Sequence, residues 1–262
     1  MAKKRKYQEE CDSYIGDENE IIVPFSDEVV EVASEAQLID LSDVEVVNRV
    51  LSRLEKTEPL FFDLASFGEG STYSQSITLA YYIKVLTEVR NFDKALSLAE
   101  IVLQNLELSP WNPIPMAHNH IGTIFFKKKE YATAITHYDS GLKPFFEQNW
   151  EADSEAMNLY LYKALCLLYL GKEKEAVECF QSAEKYDKPA ENPMEDFSNS
   201  VWIYFFLKKY HENKNDNVAT EKYQQLFVAK LKNKTFARVK WELNHFQIPE
   251  KYTDEVLSNI EK

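Results

Sequence analysis

The chain has 262 residues and a formal net charge of −13; 45% of its residues are hydrophobic and only six are glycine. A chain of this length can bury a substantial core, and its many leucine, lysine, glutamate, alanine and tyrosine residues favour an all-α protein. No uncharged apolar run approaches the roughly 18 residues of a membrane span, and three scattered cysteines without a CxxC pair indicate a reducing compartment.

Residues 1–40 are predicted to form a disordered acidic arm. Residues 1–45 hold four basic and thirteen acidic residues, whereas the rest of the chain holds 26 basic and 30 acidic residues. Segments with such a charge excess tend to stay unfolded and to dock on partners, so this arm either docks a second partner or covers a binding surface. Because no apolar signal-peptide region follows the basic N-terminus, we expect a cytoplasmic protein. A nuclear location is the alternative if Lys3–Lys6 (KKRK), which resemble an import signal, act as one.

The end of the arm carries a second short motif, "LIDLSD". It is similar to a SUMO-interacting motif, in which a short apolar strand adds to a sheet edge while acids meet a basic rim. The residues concerned are Leu38, Ile39, Asp40 and Leu41. Ser42 and Glu45 follow with the spacing of a capping box, so a helix with Ser42 as its N-cap is predicted to begin here.

A small residue recurs along the body of the chain at Ala95, Ala134 and Ala176, in steps of 39 and 42 residues. Each copy has an apolar helix, a short polar turn and then a helix with a small or aromatic residue four positions on and glycine, alanine or valine seven positions on. Two antiparallel helices approach closely only where a side chain is small, so each copy is predicted to be a helix hairpin. One hairpin cannot bury its own apolar stripe, and the hairpins must therefore stack.

The copy near 115–148 resembles a unit of the tetratricopeptide repeat (TPR) family. The matching positions are Ile121, Gly122, Phe125, Tyr131, Ala134, Tyr138 and Gly141. The copies near 76–108 and 157–189 match less fully, and all are longer than the family's unit of 34 residues. The resemblance implies an all-α fold over 41–262, a right-handed α-solenoid of antiparallel helix hairpins. A degenerate fourth hairpin at 197–231 and capping helices at 234–260 complete it.

In the TPR family the first helix of each unit lines a concave groove that binds peptides. Placing this chain on the repeat directs nine residues to the groove: Tyr81, Lys84, Asn119, His120, Thr123, Lys127, Asn158, Tyr162 and Tyr169. An asparagine amide can bond a peptide backbone through both its groups, and tyrosine adds rigid contact area with a polar tip. The carboxylate clamp of the family's chaperone-binding branch is absent, because its positions hold Ala80, Lys84, Asn158 and Tyr162.

These features predict a non-enzymatic adaptor or scaffold that binds a peptide segment of a partner protein in the groove. No metal or other cofactor is expected, since His118 and His120 point about 200° apart on a helix and no catalytic motif occurs. The nearly balanced charge of the body argues against a nucleic-acid partner, and no membrane partner is expected. Three alternatives stay open: a peptide-sensing regulator related to TPR pheromone receptors but without a DNA-binding head, a nuclear adaptor whose arm is a SUMO-interacting segment, and an enzyme with a scattered active site.

Overall fold

A computed structural model describes residues 27–62, 71–104, 114–147, 154–187, 199–232 and 234–260. Within these ranges the protein has twelve α-helices, one 3-10 helix and no strand, which confirms the predicted all-α class. The α-helices are α1 (Asp27–Gln37), α2 (Val44–Phe61), α3 (Ser71–Glu88), α4 (Phe92–Gln104), α5 (Ile114–Lys127), α6 (Tyr131–Glu147), α7 (Ser154–Tyr169), α8 (Glu173–Glu184), α9 (Ser200–Asn213), α10 (Asn217–Leu231), α11 (Phe236–His245) and α12 (Thr253–Leu257). The 3-10 helix, Glu250–Tyr252, lies between α11 and α12.

Four three-residue turns, which join α3 to α4, α5 to α6, α7 to α8 and α9 to α10, share one backbone geometry. Their middle residues are left-handed, with φ values of 62° at Arg90, 63° at Lys129, 75° at Gly171 and 56° at Asn215. Each turn closes with the same two hydrogen bonds onto the end of the preceding helix, a common helix-ending motif. These turns recur in steps of 39, 42 and 44 residues, so the repeat inferred from Ala95, Ala134 and Ala176 has a backbone counterpart in four helix pairs.

The small residues of the repeat lie where paired helices touch. Ala95, Ala134 and Ala176 have no exposed surface. A Cβ built on Gly122 of α5 would overlap the ring of Tyr138 on α6, so only glycine permits this close approach. Buried side chains form two clusters, one from α1–α5 and one from α5–α12.

The prediction of a disordered arm over 1–40 is wrong for residues 27–40. Helix α1 buries Val29, Val32 and Ala36, and Ile39 follows it into the core. The amino-acid composition does not reveal this helix, because the apolar residues are few among the acids. Their i, i+3, i+7 spacing is that of a helical stripe, which packs inward while the acids face outward. Residues 1–26, which include the Lys3–Lys6 motif, lie outside the described residues.

Two local expectations at the start of α2 also need correction. Asp43, not Ser42, caps the helix, accepting hydrogen bonds from the backbone N–H groups of Glu45 at 3.0 Å and Val46 at 3.1 Å. The Ser42 hydroxyl donates instead to Asp40 at 2.7 Å. Leu41 is buried with an 8% exposed fraction, and a SUMO-type strand would have to pull both it and Ile39 out of the core.

Candidate functional site

A cavity of about 820 Å³ lies between the first helices of three successive pairs and two segments from the ends of the described chain. Helices α3, α5 and α7 form one wall, while residues 37–41 and α11 form the other. Seven of the nine predicted groove residues line this cavity: Tyr81, Lys84, Asn119, His120, Thr123, Asn158 and Tyr162. Placing the chain on the TPR repeat, which its sequence resembles, predicts that these seven residues share one surface.

The opposite wall was not predicted from the sequence. Helix α11 was expected to cap the end of the repeat, but Arg238, Trp241 and His245 face the cavity from it. Their i, i+3, i+7 spacing puts a cation, an indole and an imidazole on one stripe. That stripe was the available signal, since a helix that only caps a repeat array presents a polar face to water.

Two predicted groove residues, Lys127 and Tyr169, do not line the cavity, contrary to the expectation that they contact a ligand there. Lys127 Nζ lies 2.8 Å from Oε2 of Glu88. The Tyr169 hydroxyl donates to the backbone carbonyls of Phe246, at 3.3 Å, and Gln247, directly after α11. Lys127 therefore contacts α3, and Tyr169 contacts the backbone that follows α11, so both stabilise the fold.

A line of polar side chains joins α11 to the groove. The Trp241 indole N–H donates to Glu88 Oε1 at 2.8 Å, and His245 Nδ1 lies 3.3 Å from Glu88 Oε2. Burial pushes the pKa of Glu88 upward, but its contacts with His245 and Lys127 prevail and hold the pKa at about 2. Burial lowers the pKa of His245, so at neutral pH its ring carries one proton.

Tyr162 completes this line, with its hydroxyl 2.6 Å from His245 Nε2. With a neutral imidazole, Nδ1–H donates to Glu88 and Nε2 accepts from the Tyr162 hydroxyl, an assignment made from the hydrogen-bond network. A carboxylate, an imidazole and a hydroxyl in this order can activate a nucleophile, but burial raises the pKa of Tyr162, which disfavours the phenolate. We therefore interpret the line as a set of contacts that fastens α11 to the groove. Tyr162, which also lines the cavity, packs against His245 and Phe246.

Lys84 is a cation without an ion-pair partner among the described residues. Its Nζ makes one long hydrogen bond, 3.5 Å to the backbone carbonyl of Gln37. Burial, together with the positive charge of Arg238, lowers the pKa of Lys84 to about 8. Arg238 itself is paired, with Nε 2.8 Å from Glu242 and Nη1 3.4 Å from Asp40.

Two buried atoms on α5 beside this cation have no hydrogen-bond partner within the described part of the chain: Asn119 Oδ1 and His120 Nε2. The side-chain nitrogen of Asn119 is occupied, donating to Glu155 Oε1 at 2.7 Å. Burial and the charge of Lys84 lower the pKa of His120 to about 3, so its ring is neutral. A buried polar atom without a partner costs roughly 1–3 kcal/mol, so a ligand that supplied partners would be stabilised here.

His118 and His120 point apart, as the helix geometry predicts: His118 Nδ1 lies 3.2 Å from His137 Nδ1 on α6, whereas His120 lines the cavity. In the ranges that the structure describes, no three or more His, Cys, Asp or Glu side chains are grouped so as to hold a metal ion. The helices described also lack the combined length and apolarity that a membrane crossing requires.

Comparison with protein families, curated proteins and solved structures finds no match for this chain.

Proposed function

We propose that the protein is a non-enzymatic adaptor of TPR-like architecture, whose helix pairs stack into a right-handed α-solenoid and whose cavity holds a peptide segment of a partner. One observation carries this proposal: the buried, unpaired Asn119 Oδ1 and His120 Nε2 occur inside a cavity lined by three successive first helices. A peptide backbone offers N–H and C=O groups at regular intervals, which are the partners that these two atoms lack.

The size of the cavity limits the segment to a few residues. A volume of about 820 Å³ falls within the roughly 300–1,000 Å³ range typical of sites for small ligands. A site of this size also favours a second candidate function, a regulator that senses a free short peptide.

Selection from an immobilised library of short random peptides tests the proposal. The Kd of each enriched peptide would be measured for the unaltered chain and for Asn119→Ala. Removing the amide leaves ligand groups unpaired, so we expect binding about tenfold weaker or more. Asn48→Ala, an exposed asparagine on α2, is the matched control and should leave the Kd unchanged. Equal affinity for the protein and for Asn119→Ala, or no enriched peptide, would contradict the proposal.

The two candidate functions differ in whether the ligand needs free ends. Each enriched sequence would therefore be tested as a free peptide and inside a surface loop of an inert carrier protein. An adaptor binds both forms with similar Kd, whereas a peptide sensor binds only the free form.

A further inference from the structure

We propose that the corner of the cavity formed by Lys84, His120 and Arg238, here called the cationic corner, binds a carboxylate of the peptide ligand. This inference rests on the proposed function and names the chemistry that the cavity selects. Two of the three residues come from the repeat helices α3 and α5, and Arg238 comes from α11. The corner thus differs from a clamp built on repeat helices alone.

The charges around the corner leave one positive charge without a counterpart. Glu242 pairs with Arg238 and with Lys234, at 2.8 Å in both cases, and Asp40 pairs with Arg238 at 3.4 Å. With Lys84, the three cations on the α3 and α11 side of the cavity thus face two carboxylates, a local excess of one positive charge. A carboxylate carries a single negative charge and balances this excess, whereas a phosphate monoester near −2 would leave negative charge in a buried site.

The other acids of the cavity wall, Glu88 and Glu155, make no ion pair with Lys84 in the described part of the chain. The Glu88 carboxylate is held by Lys127, Trp241 and His245. Glu155 on α7 accepts the amide hydrogen of Asn119 at 2.7 Å. The cavity therefore has an acceptor side at Asn119 and Glu155 and a cationic side at Lys84 and Arg238. We expect the ligand carboxylate to face α3 and α11 and the ligand N–H groups to face Asn119 and Glu155.

The neutral His120 ring suits this arrangement. With its proton on Nε2, the unpaired nitrogen donates a hydrogen bond to the carboxylate without adding charge. Asn119, the adjacent residue, then offers Oδ1 to a backbone N–H of the same ligand. The lowered pKa of Lys84 is what a cation held without an anion should show, and a bound carboxylate would raise it again.

Four pools of N-acetylated tetrapeptides distinguish the sources of the anion. The first pool ends in an amide and has no acidic residue, and the second is the same pool with a free C-terminal carboxylate. The third pool ends in an amide and has one Asp or Glu per peptide. The fourth pool is the third with phosphoserine in place of the Asp or Glu. The full-length protein is incubated with each pool, and the retained peptides are counted by mass spectrometry after size exclusion. We expect at least tenfold higher retention of the second or the third pool than of the first, and the pool retained identifies the carboxylate.

Variants at position 84 connect this selectivity to the corner. Lys84→Met should reduce retention of the preferred pool to the level of the uncharged pool, and Lys84→Arg, which keeps the charge, should preserve the preference. Lys174→Met, an exposed lysine on α8, is the control and should change nothing.

Each outcome of the pool comparison, made on the unaltered chain, is decisive. Equal retention of the first three pools overturns the carboxylate proposal while leaving peptide binding intact. Preference for phosphoserine overturns the charge argument. No retention of any pool counts against both the inference and the proposed function.

Discussion

The indole nitrogen of Trp241 lies 2.8 Å from a carboxylate oxygen of Glu88, although 153 positions separate the two residues in the chain. This contact brings α11 across the face of α3 that, in the predicted repeat, points into an open groove. The same carboxylate meets Lys127 and His245. The C-terminal helix is therefore part of the cavity wall, and the ligand volume depends on how firmly Glu88 holds it.

Replacing Glu88 by glutamine tests this fastening. We expect Glu88→Gln to lower the free energy of unfolding by roughly 1–3 kcal/mol at pH 7, because Lys127 loses its partner in a partly buried site. The folded-state pKa of Glu88, about 2, lies below its ordinary value of 4.5. Its contribution is therefore complete above pH 4.5 and is lost as the pH falls toward 2. Urea unfolding from pH 7 to pH 2 should show a flatter acid limb for the variant.

Glu130→Gln is the control for this measurement, because Glu130 pairs with Lys128 on the surface, with side chains 46% and 38% exposed. It should unfold like the parent at every pH. Loss of stability in Glu130→Gln equal to that in Glu88→Gln would mean that general charge, and not the fastening of α11, sets the acid limb.

The features that sequence reasoning predicted and those it missed differ in the range of their contacts. The repeat is local: Ala134, Gly122 and the turn at Lys129 lie within 13 residues, so their spacing alone indicates a helix pair. The cavity needs Arg238 near Lys84 and in contact with Asp40, across 154 and 198 positions, and no periodicity encodes such long-range proximity. The arm is an intermediate case, because acidic residues dominate its composition while the apolar stripe of α1, in the residues described, consists of only three side chains, Val29, Val32 and Ala36.

A substitution in α1 tests whether this helix belongs to the body. Val32 has no exposed surface, so Val32→Ala should lower the free energy of unfolding by roughly 2 kcal/mol through lost burial and a small cavity. Val44→Ala, at a side chain 69% exposed, should have little effect. Chemical denaturation of both variants provides the comparison, and equal stability would show that α1 does not contribute to the core.

The small positions of the repeat can be tested by enlargement. Ala134 is fully buried against the partner helix, and Ala134→Leu should destabilise the protein by roughly 1–3 kcal/mol through overpacking. Ala132 is exposed two positions earlier on the same helix, and Ala132→Leu is the matched control. If both variants melt like the parent, the close approach of α5 and α6 is not as described.

The four equivalent turns allow a pair of opposite substitutions. Arg90 has a φ of 62°, where glycine is less strained, so Arg90→Gly should raise the free energy of unfolding by roughly 1 kcal/mol. Gly171 has the equivalent φ of 75°, and Gly171→Ala should lower it by a similar amount, although no atom lies within 4 Å of the added methyl group. Thermal unfolding of both variants checks the sign, and changes of the same sign would contradict a shared turn geometry.

Lys84 should reduce stability while it provides the charge for binding. Its folded-state pKa of about 8 lies below its ordinary value of 10.5, so unfolding takes up a proton between these values. Stability attributable to this group therefore rises as the pH increases from 8 to 10.5, and below pH 8 the cost of the buried charge is complete. Lys84→Met removes that cost, and we expect the variant to be more stable at pH 7 by roughly 1–3 kcal/mol and to lack this part of the alkaline rise. Urea unfolding at pH 7 and pH 10 measures both effects, with Lys174→Met as the exposed control. A less stable Lys84→Met would mean that the ammonium group has a stabilising partner, and the cationic corner would then carry no excess charge for a ligand.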